Sequence, residues 1–86
     1  MPRVNLDCDD PVYLDTKGLN CPMPLLKAKQ KLNKLLVGQV LLVESTDSGS
    51  VRDFQVFANQ SGHELLNQAD EAGVYQHWLK KSDPLT

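Results

Sequence analysis

One position in this chain combines a reactive residue type with a setting that would put it to use. Cys21 stands in Asn20-Cys21-Pro22-Met23-Pro24, directly before a segment with helical apolar spacing. The start of a helix presents unpaired N–H groups and the positive end of the macrodipole, and both favour an anion. A thiol placed there tends toward thiolate, its nucleophilic form. With an ordinary pKa of about 8.5, only about 3% of a thiol is ionised at pH 7, so the environment decides its reactivity. Pro22 and Pro24 carry no N–H, which leaves Met23 as the only main-chain donor among the first three helical positions. The sequence therefore predicts a modest lowering of the Cys21 pKa. The residue three places on is Pro24, not a second cysteine, so a thioredoxin-like disulfide cycle is not expected. The bland alternative is a small residue that only caps a helix. The two prolines behind the thiol and the Gly18-Leu19-Asn20 loop before it argue for exposure and against that alternative.

Other residue types that could carry chemistry have weaker settings. Cys8 lies among Asp7, Asp9 and Asp10, whose charges would raise its pKa, and it reads as incidental. His63 and His77 lack zinc-site spacing with either cysteine and read as structural. No metal or cofactor is expected. Lys27, Lys31 and Lys34 share one face of the first helix, with Lys29 elsewhere; the face is either solvated or a docking surface. Asp47 reads first as a helix cap. With Lys29, Arg52 and Asp53 it is also a candidate for contacting a partner near the Cys21 loop.

These residues need elements to hold them. Residues 1–10 show no periodicity and read as a loose arm, and 83–86 as a tail. Pro11 to Asp15 alternates as a short strand. Pro22 suits the first position of a helix, with Cys21 as its N-cap. Leu25, Ala28, Leu32, Leu35 and Leu36 give its apolar stripe, and Gly38 is its expected C-cap. Val40 to Thr46 is the strongest strand. A second helix from Ser48 or Gly49 to Asn59 buries Val51, Phe54, Phe57 and Ala58, and Ser61-Gly62 stops it. His63 to Asp70 and Val74 to Lys81 form a hairpin around Gly73. The order β-α-β-α-β-β predicts an α+β two-layer sandwich of one domain, residues 11–82, with two helices on one face of a four-stranded mixed sheet. The other sheet face stays uncovered.

The bulk properties narrow the function. The 86 residues carry a formal net charge of −2, without the domain-wide basic bias of a nucleic-acid module. No direct nucleic-acid binding is expected. The two cysteines are too few for a disulfide scaffold. Residues 1–20 are acidic and broken by Pro11 and Gly18, unlike a signal peptide, and no apolar run reaches the ~20 residues that span a membrane. The expectation is a cytoplasmic protein with a reduced thiol and no membrane partner.

Leu14-Asp-Thr-Lys-Gly-Leu-Asn-Cys-Pro-Met-Pro-Leu25 resembles the signature of the TusA/SirA-like sulfurtransferases, which have Cys-Pro-x-Pro after a Leu-Asp…Gly-Leu segment. The resemblance covers about residues 13–81. Gly38, Asp47, Arg52-Asp53 and Gly62-His63 also fall where that pattern has similar residues. Ser48-Gly49 departs from it, because members often have proline there, and the N-terminal arm matches nothing in it. The resemblance implies the same two-layer fold. It further implies that Cys21, positioned by Pro22 and Pro24, accepts sulfane sulfur as a persulfide from a donor such as a cysteine desulfurase. The sulfur then passes to an acceptor protein, in transfer RNA thiolation, molybdenum cofactor assembly or other sulfur traffic. The competing reading is a noncatalytic interaction module in which Cys21 only caps a helix.

Overall fold

The computed structural model describes residues 11–82. The expected arm with Cys8 and the expected tail at 83–86 lie outside the described residues. Alternation makes the first strand, β1 (Val12–Thr16), and proline and alanine-leucine spacing make the first helix, α1 (Met23–Leu32). The aliphatic run forms β2 (Val40–Ser45), and α2 (Ser50–Ser61) follows. The chain closes with β3 (Glu64–Glu71) and β4 (Val74–Lys80). The strands make one mixed sheet in the order β1-β2-β4-β3. β1 and β2 are parallel, and β4 is antiparallel to both of its neighbours. The α+β sandwich is as expected.

The helices cover one face, with α1 against β1 and β2 and α2 against β3 and β4. The period-2 pattern of β2 places Leu41, Val43 and Ser45 inward, where all three are fully buried. With Ala28, Leu32, Phe54 and Leu79 they form the centre of the molecule, and Val12, Leu14, Leu25, Leu35, Phe57 and Leu65 pack around it. Each of the larger side chains stabilises the fold by about 1.5–3 kcal/mol on leaving water.

The first helix is shorter than its apolar stripe suggests. It ends at Leu32 with Asn33 as C-cap, not at Gly38. Lys34 and Leu35 donate to the carbonyls of Lys31 and Leu32, three residues back, and Lys81 Nζ also holds the Leu32 carbonyl. Tight turns of that kind keep the three-residue spacing, so Leu35 still reaches the core without a helix beneath it. Leu36 and Val37, at 73% and 63% exposed, do not. Gly38 does take a positive φ of 97°, but it serves the entry to β2, and its N–H donates to the Lys81 carbonyl.

The second helix starts at Ser50 and runs to Ser61, past the expected Asn59. Gly62 ends it with a left-handed φ of 86°, donating its N–H to the Ala58 carbonyl. Ala72 and Gly73 both have positive φ, 54° and 85°, which joins β3 to β4 by a two-residue turn of the hairpin-favouring type.

Inside the sandwich sits a polar chain. Gln68 Nε2 donates to His77 Nδ1 at 3.0 Å and to the Val51 carbonyl at 2.9 Å. An amide nitrogen can only donate, so His77 Nδ1 accepts and its Nε2 carries the proton. That Nε2–H donates to Ser50 Oγ at 2.9 Å. The ring stacks on Phe54 with centroids 4.4 Å apart. Burial lowers the His77 pKa to about 4, so the imidazole is neutral. His63 accepts from the Ser82 N–H through Nδ1. Both histidines are structural, as expected.

On the sheet face away from the helices, Tyr13, Leu42 and Trp78 lie side by side across three strands, and Glu44 and Gln76 are paired across β2 and β4. The carboxylate of Glu44 accepts from Tyr13 Oη at 2.6 Å, Gln76 Nε2 at 2.8 Å and Lys17 Nζ at 3.0 Å. Those donors, led by Tyr13, hold its pKa down to about 2.

Candidate functional site

Because β1 and β2 are parallel, the segments that leave their carboxyl ends meet at one edge of the sheet. These are the β1–α1 loop with Cys21 and the β2–α2 loop with Asp47. Loops at the carboxyl ends of parallel strands are the usual place for function in α/β architectures. Here the two are tied together. Gly18, at φ 87°, donates its N–H to Thr46 Oγ1 at 2.9 Å. Cys21 donates its N–H to Asp47 Oδ2 at 3.1 Å. Asp53, in the early part of α2, accepts the Cys21 thiol at Oδ2, 2.9 Å from Sγ.

Cys21 itself is exposed and free. It is not the N-cap of α1. That position belongs to Pro22, the Cys21–Pro22 peptide is cis, and no side chain caps the helix. The Met23 N–H, the one donor the sequence leaves at this end, is spent on the Asn20 carbonyl at 2.8 Å. The expected lowering of the thiol pKa is therefore overturned. The pKa is raised, first by the hydrogen bond to Asp53, then by desolvation and the charges of Asp53 and Asp47. A hydrogen bond that the neutral form donates to a carboxylate opposes ionisation.

The other residues singled out divide into two groups. Asp47 and Asp53 join Cys21. Asp47 does not cap α2 through its side chain; its carboxylate holds the Cys21 backbone instead, and its own N–H donates to Ser45 Oγ. Pro22 is exposed and Pro24 fully buried. Arg52 is exposed, next to Asp53 on α2. Lys29 lies with Nζ 5.6 Å from the centre of the Phe57 ring, between the helices and not at the thiol. Met23 and Leu26 are exposed apolar side chains on the first turn of α1, which follows Cys21 in the chain. The thiol–Asp53 pair was not foreseen. The signal available was the parallel β1–β2 pairing, which places the start of α2 beside the Cys21 loop.

Among the described residues no group of three His, Cys, Asp or Glu is placed to hold a metal ion, and no helix is long and apolar enough to cross a membrane. What the arrangement offers is one accessible thiol between two carboxylates.

The family model described as Sulfurtransferase TusA matches residues 12–81. The sulfur carrier protein TusA of Allochromatium vinosum is 52% identical over 69 residues, covering 80% of this chain and 91% of that protein. A protein of the same name from Pseudomonas putida is 44% identical over 68 residues, covering 79% and 85%. The crystal structure of a SirA-like protein from Desulfitobacterium hafniense superposes with a TM-score of 0.73. It covers 84% of this chain and 99% of that one at 23% identity, a likeness of fold.

Proposed function

The chain belongs to the TusA sulfurtransferase family, whose role is sulfur carriage, and from that premise we propose that Cys21 is the atom site of the cargo. The observation that carries this reading is an exposed thiol at the junction of two loops that are pinned to each other. A helix-capping role for Cys21 is disfavoured, because Pro22 occupies the cap and the thiol points to Asp53.

Loading requires the Cys21 proton to leave. The thiolate then attacks the outer sulfur of a donor persulfide, the donor S–S bond breaks, and the donor cysteine departs as thiolate and takes up a proton. Cys21 now bears the S–SH group, and no external oxidant or reductant is consumed. In the second half an acceptor thiolate attacks the outer sulfur, and Cys21 departs as the leaving thiolate. The chain is thereby a group-transfer catalyst of the transferase class, with Pro22 and Pro24 fixing the backbone behind the thiol. A cysteine desulfurase fits the donor role and a protein thiol the acceptor role. The cycle needs a thiol kept reduced, as in the cytoplasm.

The test is intact-mass spectrometry after incubation with a cysteine desulfurase and cysteine. The wild type gains whole sulfur atoms that a reductant removes, and Cys21→Ser gains none. Equal gain by Cys21→Ser would contradict the assignment.

A further inference from the structure

Asp53 sits where a carrier thiol would be expected to have a cation. Its Oδ2 lies 2.9 Å from Cys21 Sγ, and at that separation two anions repel, so the contact requires a proton between sulfur and oxygen. The same thiol segment is gripped by a second carboxylate, Asp47, through the Cys21 N–H at 3.1 Å. Neither carboxylate has an ion-pair partner among the described residues, where the salt bridges found are those of Lys17 with Asp15 and Glu44. Arg52, adjacent to Asp53 on α2 and exposed, is one residue away and cannot share its helix face. The groups facing Cys21 are thus the acidic side chains of Asp53 from α2 and Asp47 from the β2–α2 loop.

From this geometry we infer that Asp53 is a positioning residue that keeps the Cys21 thiol protonated and quiescent in the free carrier, and that a cationic side chain of the sulfur partner releases it by pairing with Asp53. The inference rests on Cys21 being the sulfur site. Loading requires that thiol's proton to leave before the attack. A carboxylate in hydrogen-bond contact retains the proton; a lysine or arginine brought to the same oxygen neutralises the carboxylate and frees the sulfur to ionise. A free carrier so built reacts slowly with stray electrophiles and oxidants, and quickly only where a partner supplies the charge.

The role of Asp53 is distinct from a structural one. Near the start of α2 an acidic side chain also favours the helix dipole, and losing that contribution alone would lower stability without moving the thiol's pH profile. The readout is therefore the pH profile of iodoacetamide alkylation, resolved by peptide so that Cys21 and Cys8 are followed separately in the full chain. Asp53→Asn moves the Cys21 midpoint to lower pH and speeds its alkylation at pH 7.5 by about three- to fourfold for each unit of the shift, because the tenfold gain in thiolate is partly offset by its lower nucleophilicity. Asp53→Glu, which keeps the carboxylate, stays nearer the wild type, and Asp47→Asn shifts the midpoint less. An unchanged midpoint in Asp53→Asn overturns the proton-holding role; should that variant lose its circular dichroism, Asp53→Ser answers the same question. The partner's part is tested by the rate of loading from a cysteine desulfurase. Asp53→Asn loads more slowly than the wild type although its thiol is more reactive, and faster loading overturns that part. The alkylation arm needs no sulfur donor, so its failure is separable from failure of the carrier reading.

Discussion

Cys21 and His77 are both held uncharged, by opposite means. The thiol is exposed, and what opposes its ionisation is a hydrogen bond to Asp53 with the charge of Asp47 behind it. The imidazole is fully buried, and what opposes its protonation is burial against Phe54 within a chain of neutral partners, Ser50 and Gln68. Both groups are linked to the first turns of the same helix, Ser50 reaching inward and Asp53 outward. The difference decides their uses. A hold made of surface charge is undone by an approaching opposite charge, which suits a group that must react on contact. A hold made of burial is undone only by opening the fold, which suits a group that joins α2 to the sheet.

The largest effect is expected at the buried end. His77→Ala removes a fully buried ring, leaves Ser50 and Gln68 short of a partner and opens a cavity beside Phe54. The expected loss is about 3 kcal/mol in urea unfolding; a loss below about 1 kcal/mol would mean that the network adds nothing to the core. The next effect is on pH. The pKa of His77 is about 4 when folded, against an ordinary value of 6.5, so between these values the unfolded chain binds more protons. Its contribution is intact above pH 6.5 and is lost as pH falls toward 4, by about 2–3 kcal/mol across the window. Urea unfolding at pH 7 and pH 4.5 measures this, and His77→Gln flattens that part of the profile. The carboxylate of Glu44, held down to about 2, adds its own loss below about pH 4.5. The smallest effect is expected at the exposed end, where Cys21→Ser leaves the urea midpoint unchanged while removing sulfur uptake. A marked shift of the midpoint would give the thiol a structural role and erase the contrast.

Much of the frame is legible in the residues. The alternation of β1, the aliphatic run of β2, the Phe54 stripe of α2 and the glycine of the β3–β4 turn each point to one local structure, and the elements form in the expected order. The end of α1 is less legible, because tight turns after Leu32 carry Leu35 to the same face a helix would. The site shows the same division. Cys21 with its prolines stands out by local pattern. Its electrostatics do not, because Asp53 is far along the chain and reaches the thiol only through parallel pairing of β1 and β2. Two residues keep the helix end from lowering the thiol pKa: Met23 gives its N–H to Asn20, and Asp53 supplies a charge of the wrong sign for a thiolate. Asp47 likewise read as a local cap and is instead a tertiary contact.

Of the chain's two cysteines, Cys21 is the one expected to carry the sulfur, and locating that sulfur decides the matter. The wild-type chain is loaded with a cysteine desulfurase and cysteine, the remaining thiols are blocked, and the peptides are mapped by mass spectrometry. The account predicts the reductant-labile extra sulfur on the peptide containing Cys21, with Cys8 carrying only the block. Extra sulfur on the Cys8 peptide, with Cys21 merely blocked, would contradict it.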